Sequence, residues 1–318
     1  MRQMRVLITG GAGFIGSALA RALIERGDQV VIVDSLATGR VEAIPQGARF
    51  FRLDVRDDRL EEVFAQQGPF DVVAHYAALK DVRRALLDPR SDAEVNILGT
   101  LNVLRCAAGY HAGLFVYPSS AGIYGDAAVR PTPETAPMAP ISPYGISKAA
   151  GEAYCAFFAR SRGLPAIALR YGTVYGPHAG EATEAGVITI FVRQMLSGEQ
   201  PVIYGDGEQT RDLVYIDDVI EATTRAIDRA PRPWAVYNVA TGTETTINEV
   251  YRQLASLCGF YRPPAYEPAK PGEVRRNAQD ITRIREELGW APRCSLPQGL
   301  AQVVAAARSA ALAAGVQR

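Results

Sequence analysis

The stretch Val6-Leu-Ile-Thr-Gly10-Gly-Ala-Gly13-Phe-Ile-Gly16 joins a short apolar run to glycines 10, 13 and 16, which are spaced three residues apart. The pattern over 14–27 then predicts a helix that begins within this turn. Glycines in such a strand–turn–helix unit permit a tight turn, close approach of the backbone to a diphosphate, and close packing of the helix on the sheet. Free N–H groups at the start of the helix favour an anion. The stretch therefore predicts the first βα unit of a dinucleotide-binding sheet.

An acidic residue, Asp34, closes the second apolar run about 20 residues beyond the glycines. A carboxylate at this place accepts hydrogen bonds from the hydroxyls of an adenosine ribose and repels a 2′-phosphate. We therefore expect NAD rather than NADP as the cofactor, bound by Gly10, Gly13, Phe14, Ile15, Gly16 and Asp34.

Short apolar runs alternate with helix-like segments throughout the first half of the chain. Strands are predicted at 6–8, 30–33, 50–53, 72–74, 114–116 and 166–169, with helices between them at 14–27, 57–67, 91–109 and 143–162. Such alternation is typical of βαβ units. We therefore expect an α/β fold, with a Rossmann-type doubly wound parallel sheet covered on both faces.

The pattern changes after Arg170, where glycine and proline become more frequent and the apolar runs shorten. Helices are predicted near 187–197 and over 301–314, and the proline-rich residues 261–275 are typical of a surface loop. We expect an NAD-binding domain over 1–170, to which the chain returns near 212–240. A smaller, mixed α/β substrate-binding lobe is expected over 171–318.

Composition excludes several classes of function. The 34 basic and 34 acidic residues balance, which argues against a general nucleic-acid or anionic-membrane surface. Four cysteines and three histidines are scattered, so we expect reduced thiols and no metal site. The sequence shows no signal peptide and no apolar run of membrane-spanning length. We expect a cytoplasmic protein.

A tyrosine and a lysine, Tyr144 and Lys148, stand four residues apart in the predicted helix 143–162. That spacing places both side chains on one helix face. The chain has only three lysines, at 80, 148 and 270, so the pairing is not a by-product of abundant lysine. An ammonium group beside a phenol lowers its pKa from about 10, which makes tyrosine a usable base near neutral pH.

Further motifs accompany this pair along nearly the whole chain. They are Asp54-Val55, His75-Tyr-Ala-Ala78, Ser119-Ser-Ala-Gly-Ile-Tyr-Gly125, Ser142-Pro-Tyr-Gly-Ile-Ser-Lys148, Leu169-Arg-Tyr-Gly-Thr-Val-Tyr-Gly-Pro177, Tyr204-Gly-Asp-Gly-Glu-Gln-Thr-Arg-Asp212 and Pro271-Gly-Glu-Val-Arg275. With these motifs in this order, the sequence resembles the extended short-chain dehydrogenase/reductases, and among them the nucleotide-sugar epimerases.

The resemblance implies an NAD-dependent 4-epimerisation of a UDP-sugar, with UDP-glucose and UDP-galactose as the expected pair. It implies that Tyr144 is the base, that Lys148 and the positive nicotinamide of NAD lower its pKa, and that Ser120 holds the same sugar oxygen. Ser119 remains a neighbouring candidate for the last role. The further NAD contacts that it implies are Asp54, Val55, Ala77 and Lys80.

One position separates the reactions of this family. Dehydratases and decarboxylases carry an acidic residue two places before the tyrosine that corresponds to Tyr124, whereas this chain has Gly122 there. Elimination of water needs a second proton-transfer group. The glycine therefore favours epimerisation.

The resemblance also implies a UDP-sugar site in the second lobe. Its expected contacts are Ser120, Tyr144, Thr173, Val187, Tyr204, Arg211, Lys270, Glu273 and Asn277. Thr173-Val-Tyr-Gly-Pro177 is more similar to UDP-glucuronate 4-epimerases, whereas Glu184-Ala-Gly-Val187 is similar to galactose-type enzymes. Asn277 stands where a bulky tyrosine in some relatives excludes N-acetyl sugars, so UDP-GlcNAc and UDP-GalNAc are further candidates.

Two other functions remain open, a UDP-glucuronate 4-epimerase and a nucleotide-sugar oxidoreductase with net redox. A cofactor-binding scaffold without catalysis is disfavoured by the intact Ser120, Tyr144 and Lys148 set. The resemblance finally implies a homodimer formed through the helices 91–109 and 143–162.

Overall fold

The structure, a computed structural model, describes residues 2–177, 186–229, 233–270 and 272–313. Within these ranges the strands are β1 (Arg5–Thr9), β2 (Gln29–Asp34), β3 (Arg49–Arg52), β4 (Val72–His75), β5 (Phe115–Ser120), β6 (Ala166–Tyr171), β7 (Thr173–Tyr175), β8 (Val202–Tyr204), β9 (Thr210–Arg211), β10 (Leu213–Tyr215), β11 (Trp234–Val239), β12 (Thr245–Thr246) and β13 (Ala265–Glu267).

The α-helices in the same ranges are α1 (Phe14–Glu25), α2 (Leu60–Gln67), α3 (Val82–Leu87), α4 (Pro89–Ala93), α5 (Thr100–Gly109), α6 (Pro143–Ser161), α7 (Val187–Leu196), α8 (Ile216–Arg229), α9 (Ile247–Cys258), α10 (Thr282–Leu288) and α11 (Leu296–Ala313). A π-helical segment, Glu94–Gly99, joins α4 to α5, and 3₁₀ turns occupy Val41–Ala43 and Ala121–Tyr124.

A seven-stranded sheet in the order β11-β6-β5-β4-β1-β2-β3 forms the centre of the fold. Every neighbouring pair in it is parallel, and Ser120 at the end of β5 lies opposite Tyr171 at the end of β6. The strand order reverses between β1 and β4. In open parallel sheets a ligand binds in the crevice beyond the carboxyl ends of the strands at such a reversal. Topology therefore places the binding edge beside the glycine turn.

Hydrophobic layers cover both faces of this sheet. Helices α1 and α8 pack together on one face, whereas α2, α5 and α6 cover the other. Val6, Leu7 and Ile8 of β1 are all fully buried, although successive side chains point to opposite faces. A continuous apolar run is thus the mark of a strand buried on both sides, and the predicted fold class is confirmed.

The second half of the chain builds a smaller layer of helices and short strand pairs. Helices α7, α9 and α11 pack against one another, and β7 with β10, β9 with β12, and β8 with β13 form two-stranded ladders. The chain also returns to the large sheet, where β11 pairs with β6 along its whole length. That strand lies inside the predicted return at 212–240, of which residues 230–232 lie outside the described ranges.

Several predicted boundaries differ from the structure. Helix α2 begins at Leu60 rather than at 57, because the Asp57 side chain accepts a hydrogen bond from the Arg59 backbone N–H (2.9 Å) and forms a turn first. The predicted helix 91–109 is α4, the π-helical segment and α5 in succession. Helix α11 begins at Leu296 instead of 301, and residue 314 lies outside the described residues.

Candidate active site

The glycine turn between β1 and α1 has no room for side chains at two of its positions. Gly10 has a φ of +70°, and a Cβ there would lie 2.5 Å from the carbonyl carbon of Tyr76, which directly follows the neighbouring strand β4. A Cβ on Gly16 would collide with the carbonyl of Gly10. Helix α1 follows Gly13 with no side chain capping its first N–H groups, so these remain available to an anion. The turn therefore fits a dinucleotide diphosphate, with Phe14 and Ile15 packed beneath it against the core.

Asp34 lies at the end of β2 beside this turn. Its carboxylate accepts hydrogen bonds from the backbone N–H of Ala12 (3.0 Å) and of Leu36 (2.8 Å), and the residue is 7% exposed. Each oxygen keeps a further lone pair for a ribose hydroxyl. This geometry agrees with the expected place of Asp34 in an NAD site.

The other expected NAD contacts lie on the loops after β3 and β4. Asp54 is held by Arg56, which donates from Nε and Nη2 (both 2.9 Å), and this pairing lowers the pKa of the carboxyl. Val55 is buried, and Ala77 donates its N–H to the Thr9 hydroxyl (3.3 Å). Lys80 is exposed between β4 and α3. Asp54, Val55, Ala77 and Lys80 thus remain predictions as cofactor contacts.

A buried histidine links these strands, and sequence reasoning gave it no role. Thr100 donates its hydroxyl to the Asn96 carbonyl (2.7 Å), so it accepts from Nε2 of His75 (2.9 Å). Nδ1 of His75 then accepts from the Thr9 hydroxyl (2.7 Å). Burial and the nearby Lys148 lower the pKa of His75 to about 3. The imidazole is therefore neutral and ties β1, β4 and α5 together.

Tyr144, Lys148 and Ser120 come together where α6 crosses the ends of β5 and β6. Helix α6 begins after Ser142, whose hydroxyl accepts from the Gly145 N–H (3.1 Å), so Tyr144 lies in its first turn. Lys148 follows one turn later, and its Nζ lies 6.0 Å from the centroid of the Tyr144 ring. Nζ donates to the carbonyl of Pro118 (2.8 Å). Ser120 is hydrogen-bonded to Tyr144 and accepts from the Gly122 N–H (3.1 Å).

Burial dominates the pKa values of Tyr144 and Lys148, and the expected lowering of the tyrosine pKa by Lys148 together with the nicotinamide stays a prediction. Burial raises the pKa of Tyr144 to about 12, and the hydrogen bond to Ser120 opposes this rise. Burial also lowers the pKa of Lys148 to about 8. Removal from water is the largest cause of both shifts. A further positive charge beside the phenol is therefore needed before Tyr144 can act as a base near neutral pH.

Ser119, the neighbouring candidate, has a different environment from Ser120. It is 3% exposed, and its hydroxyl has no hydrogen-bond partner among the described residues. Because successive residues of β5 point to opposite faces of the sheet, Ser119 and Ser120 do not share one direction. The structure thus pairs only Ser120 with Tyr144.

A buried polar network lies next to the serine pair and was missed from sequence. Arg170 donates to both carboxylate oxygens of Glu152 (2.5 and 3.1 Å) and to the hydroxyl of Tyr124 (2.7 Å). Tyr124 in turn donates to Asn238 Oδ1 (2.7 Å), and burial with full pairing keeps this phenol away from proton transfer. Tyr124 is therefore held in one orientation and has a structural role. A buried Arg-Glu pair eighteen residues apart leaves no local signal in the sequence.

Gly122 lies in the 3₁₀ turn between Ser120 and Tyr124. A Cβ at this position would be 3.3 Å from the Ser120 hydroxyl oxygen, so a longer side chain here would enter the space beside the catalytic candidates. The backbone of Gly122 also packs closely on Gly145 at the start of α6. The residue therefore leaves open the place where dehydratases of the resembled family hold their acid.

The expected substrate residues of the second lobe contact one another. Arg211 donates to the carbonyls of Thr210 and Val274 (both 2.8 Å) and lies 3.5 Å from Glu273 Oε2. Burial lowers the pKa of Arg211, but its guanidinium remains charged. Lys270 Nζ lies 3.2 Å from the centroid of the Tyr204 ring. These two pairs place two cations on the same lobe.

The remaining expected substrate residues are held by backbone contacts. Thr173 of β7 donates its N–H to the Asp212 carbonyl (2.7 Å), and Val187 is the first residue of α7. Asn277 donates its N–H to the Thr210 hydroxyl (3.1 Å) and accepts from Gln279 Nε2 (2.5 Å). In the galactose-type stretch 184–187, residues 184 and 185 lie outside the described residues.

The described ranges lack two further kinds of feature. They contain no group of three or more His, Cys, Asp or Glu side chains arranged to hold a metal ion. In the same ranges, no helix combines the length and apolarity that crossing a bilayer requires.

The sequence of this chain is similar to those of known NAD-dependent epimerases. Residues 6–240 match the model of the NAD dependent epimerase/dehydratase family. The chain is 38% identical to a UDP-glucose 4-epimerase of Mycolicibacterium smegmatis, over 95% of this chain and 97% of that protein.

Two solved structures are similar over almost their full lengths. One is the UDP-glucose 4-epimerase of Thermotoga maritima with UDP-glucose, with a TM-score of 0.94, 41% identity, and coverage of 96% of this chain and 99% of that one. The other is the UDP-glucose 4-epimerase of Thermus thermophilus in complex with NAD, with a TM-score of 0.90, 39% identity, and coverage of 96% and 100%.

Family resemblance, fold and cofactor are thus confirmed by the sequence match, the parallel sheet and the glycine turn together. The chain belongs to the NAD-dependent epimerase/dehydratase family of enzymes.

Proposed function

We propose that this enzyme is a UDP-sugar 4-epimerase, with UDP-glucose and UDP-galactose as its substrate pair. The observation that carries the proposal is the meeting of Tyr144, Lys148 and Ser120 at the sheet edge that also carries the glycine turn, with Gly122 as the neighbouring residue. Such a site offers one acid/base group and one charge that stabilises it. The relatives named UDP-glucose 4-epimerase support the same assignment.

In the proposed mechanism the residues move a single proton. Tyr144 removes the proton of the sugar's C4 hydroxyl, while Ser120 holds that oxygen by a hydrogen bond. NAD, which Gly10, Gly13, Gly16 and Asp34 would hold, would supply the reversible hydride acceptor for C4 and a positive charge. Lys148, fixed by the Pro118 carbonyl, stabilises the tyrosinate. The resulting 4-keto sugar turns within the site and regains the hydride on the other face of C4, while Tyr144 returns the proton to the C4 oxygen, which completes the 4-epimer.

Gly122 supports epimerisation over dehydration within this family. Loss of water needs one group to remove a proton and another to protonate the leaving hydroxyl. Tyr124 is locked between Arg170 and Asn238, so it does not supply the second group. Tyr144 thus handles the proton alone, which suffices when the sugar is only oxidised and reduced again.

The second lobe is proposed to bind the uridine diphosphate. Arg211 and Lys270 supply cationic donors for the diphosphate, and such charge-assisted bonds are the strong ones. Val187 and Tyr204 frame the uracil, Glu273 accepts from the ribose, and Thr173 and Asn277 face the sugar. These residues follow position 170, which supports the division of the chain into a cofactor domain and a substrate lobe.

A homodimer is proposed through the helical stretch 91–109, which includes the segment Glu94–Gly99, and through helix α6 in the stretch 143–162. Leu98 (56% exposed), Ile146 (54%), Tyr154 (39%) and Phe157 (47%) are large apolar side chains that remain accessible on these two elements. Covering them removes apolar surface from water. Phe157→Glu should yield a monomer by light scattering at a concentration where the parent is a dimer, and a monomeric parent would disprove the dimer.

Incubation with separate nucleotide sugars tests the function. The enzyme is expected to convert UDP-glucose to UDP-galactose, as resolved by chromatography of the 4-epimers, without net change in absorbance at the nicotinamide wavelength. UDP-GlcNAc and UDP-glucuronate form the other arms. Conversion of UDP-glucuronate alone would replace the proposed substrate, and net accumulation of reduced nicotinamide with a ketosugar would replace epimerisation by net redox.

A further inference from the structure

A carboxylate that the mechanism above does not use is buried behind the catalytic helix. Asp92 lies on α4 and is 2% exposed, and its Oδ1 accepts from Nδ2 of Asn96 (2.8 Å). The same Nδ2 lies 3.3 Å from the Ser147 hydroxyl, which donates to the carbonyl of Tyr144 (2.9 Å). Asp92 therefore connects through two buried side chains to the first turn of α6.

The amide of Asn96 also ties this cluster to the loop after β4. It accepts from the Leu79 N–H and donates to the Leu79 carbonyl (both 2.8 Å). The π-helical segment Glu94–Gly99 carries Asn96 into this position, and such widened turns are frequent at functional sites. Asp92 fixes the orientation of the amide, because its carboxylate only accepts hydrogen bonds and so faces the NH₂ group.

A carboxylate buried this deeply needs a positive charge nearby, because removing an isolated ion from water is costly. Lys148 supplies that charge from α6, where it is 5% exposed. The charge of Lys148 opposes the rise that burial imposes on the pKa of Asp92, and Asp92 opposes the fall that burial imposes on the pKa of Lys148. Each ion therefore favours the charged form of the other.

We propose that Asp92 is a positioning residue for the epimerase reaction, which holds the first turn of α6 in place through Asn96 and Ser147 and contributes the negative charge that Lys148 and Tyr144 face. The inference rests on the proposed function, because it assumes that Tyr144 and Lys148 act in turnover.

Other titratable groups face Lys148 and Tyr144 from β4, β5 and α6. Burial holds His75, Tyr117 and Cys155 in their neutral forms, since it lowers the pKa of the histidine and raises those of the phenol and the thiol. Glu152, one turn beyond Lys148, is paired with Arg170. Among these groups, Asp92 therefore supplies the negative charge whose loss should change the pKa values of Lys148 and Tyr144.

The sign of the effect follows from the charge. Asp92 raises the pKa of Tyr144 and also that of Lys148, so its removal lowers both. Turnover needs Tyr144 deprotonated and Lys148 protonated. The pKa of Tyr144 therefore sets the acid limb of the pH–rate profile, and the pKa of Lys148 sets the alkaline limb. Loss of the negative charge should move both limbs to lower pH, by about one unit each.

The test is the pH profile of kcat/KM for the purified NAD-containing Asp92→Asn enzyme with UDP-galactose. Asp92→Asn keeps the shape and an oxygen acceptor for Asn96 but removes the charge. Asp92→Glu retains the charge and should keep both limbs near those of the parent. Glu61→Gln, which removes an exposed charge on α2, is the matched control and should leave the profile unchanged.

A second readout does not require turnover. The pH titration of tyrosinate absorbance in the parent, minus that of Tyr144→Phe, isolates the ionisation of Tyr144. In the Asp92→Asn background this difference curve should move to lower pH by about one unit as well.

The proposal would be overturned if both limbs of the pH–rate profile and the tyrosinate titration of Asp92→Asn coincided with those of the parent. If Asp92→Asn and Asp92→Ser both lose cooperative unfolding and NAD, the carboxylate is purely structural and the proposal is also wrong. An inactive parent, or a fully active Tyr144→Phe, would instead refute the proposed function, so the two failures are distinguishable.

Discussion

The ammonium group of Lys270 lies 3.2 Å from the centroid of the Tyr204 ring. Both residues were expected to contact substrate, the lysine at a phosphate and the tyrosine at the uracil. In the structure they satisfy each other, because a cation on an aromatic face is attracted by the ring quadrupole. A bound nucleotide would therefore exchange this contact for a charge-assisted bond to the lysine and a stacked base on the tyrosine.

Replacement of Lys270 by methionine should weaken substrate binding more than turnover. Loss of one charge-assisted bond of about 1.4 kcal/mol raises KM for UDP-glucose roughly tenfold. The value of kcat should remain within about twofold, since Lys270 is remote from the Tyr144 hydroxyl in the proposed mechanism. Steady-state kinetics and the inhibition constant of UDP measure both effects.

Arg21→Met is the control for this variant, because Arg21 is an exposed cation on α1. It should leave KM unchanged. A Lys270→Met enzyme with the parent's KM and the parent's inhibition by UDP would remove the lysine from the nucleotide site.

Replacement of Tyr144 by phenylalanine should abolish most of the activity. The variant lacks the only group assigned to proton transfer, and general acid–base catalysis contributes about 10² to 10⁴ in rate. The ring still packs beside Lys148, so bound NAD and the melting temperature should stay near the parent values. Ser119→Ala is a useful companion, since the hydroxyl of Ser119 is buried without a partner among the described residues and its loss should cost little activity.

Local sequence patterns predicted the sheet and the cofactor turn because their causes are local. Val6, Leu7 and Ile8 must be apolar to lie between two helical layers, and Gly10 and Gly16 must lack a Cβ. Asp34 follows from the end of a strand beside that turn. These requirements concern neighbouring residues, so they leave a readable pattern.

The polar interior was not predictable in the same way. The chain from Thr9 through His75 to Thr100 spans three elements, and the Arg170–Glu152 pair depends on how α6 lies over β6. The π-helical segment that carries Asn96 has no distinct periodicity. The sequence indicated only the groups expected to lower the pKa of Tyr144, whereas burial, which no sequence pattern measures, raises it to about 12.

Alanine substitutions at two glycines with positive φ should separate close approach from backbone strain. Gly10→Ala should lose bound NAD and fold poorly for two reasons. The added Cβ would strike the backbone of Tyr76, and the alanine would have to adopt a φ of +70°. Gly27 has a φ of +95°, and nothing lies within 4 Å of a Cβ added there. Gly27→Ala should therefore lower the free energy of unfolding only by the backbone strain, about 1 kcal/mol.

Measurement of NAD content and of thermal unfolding distinguishes the two variants. Equal NAD content in both, at the parent's level, would show that the turn tolerates a side chain and that close approach to β4 is not required.

The buried pair of Arg170 and Glu152 predicts a large and asymmetric effect on stability. Both side chains are at most 4% exposed, and Arg170 also supports Tyr124 and the carbonyl of Glu134. Glu152→Gln leaves a buried guanidinium without its counter-charge, and such a loss costs about 3–5 kcal/mol. Glu61→Gln breaks a pair with the exposed Arg105 and should cost less than about 1 kcal/mol. Urea unfolding of the two variants should therefore differ by several kilocalories per mole. Similar midpoints for both would mean that Arg170 finds another partner and that the orientation of Tyr124 does not depend on this ion pair.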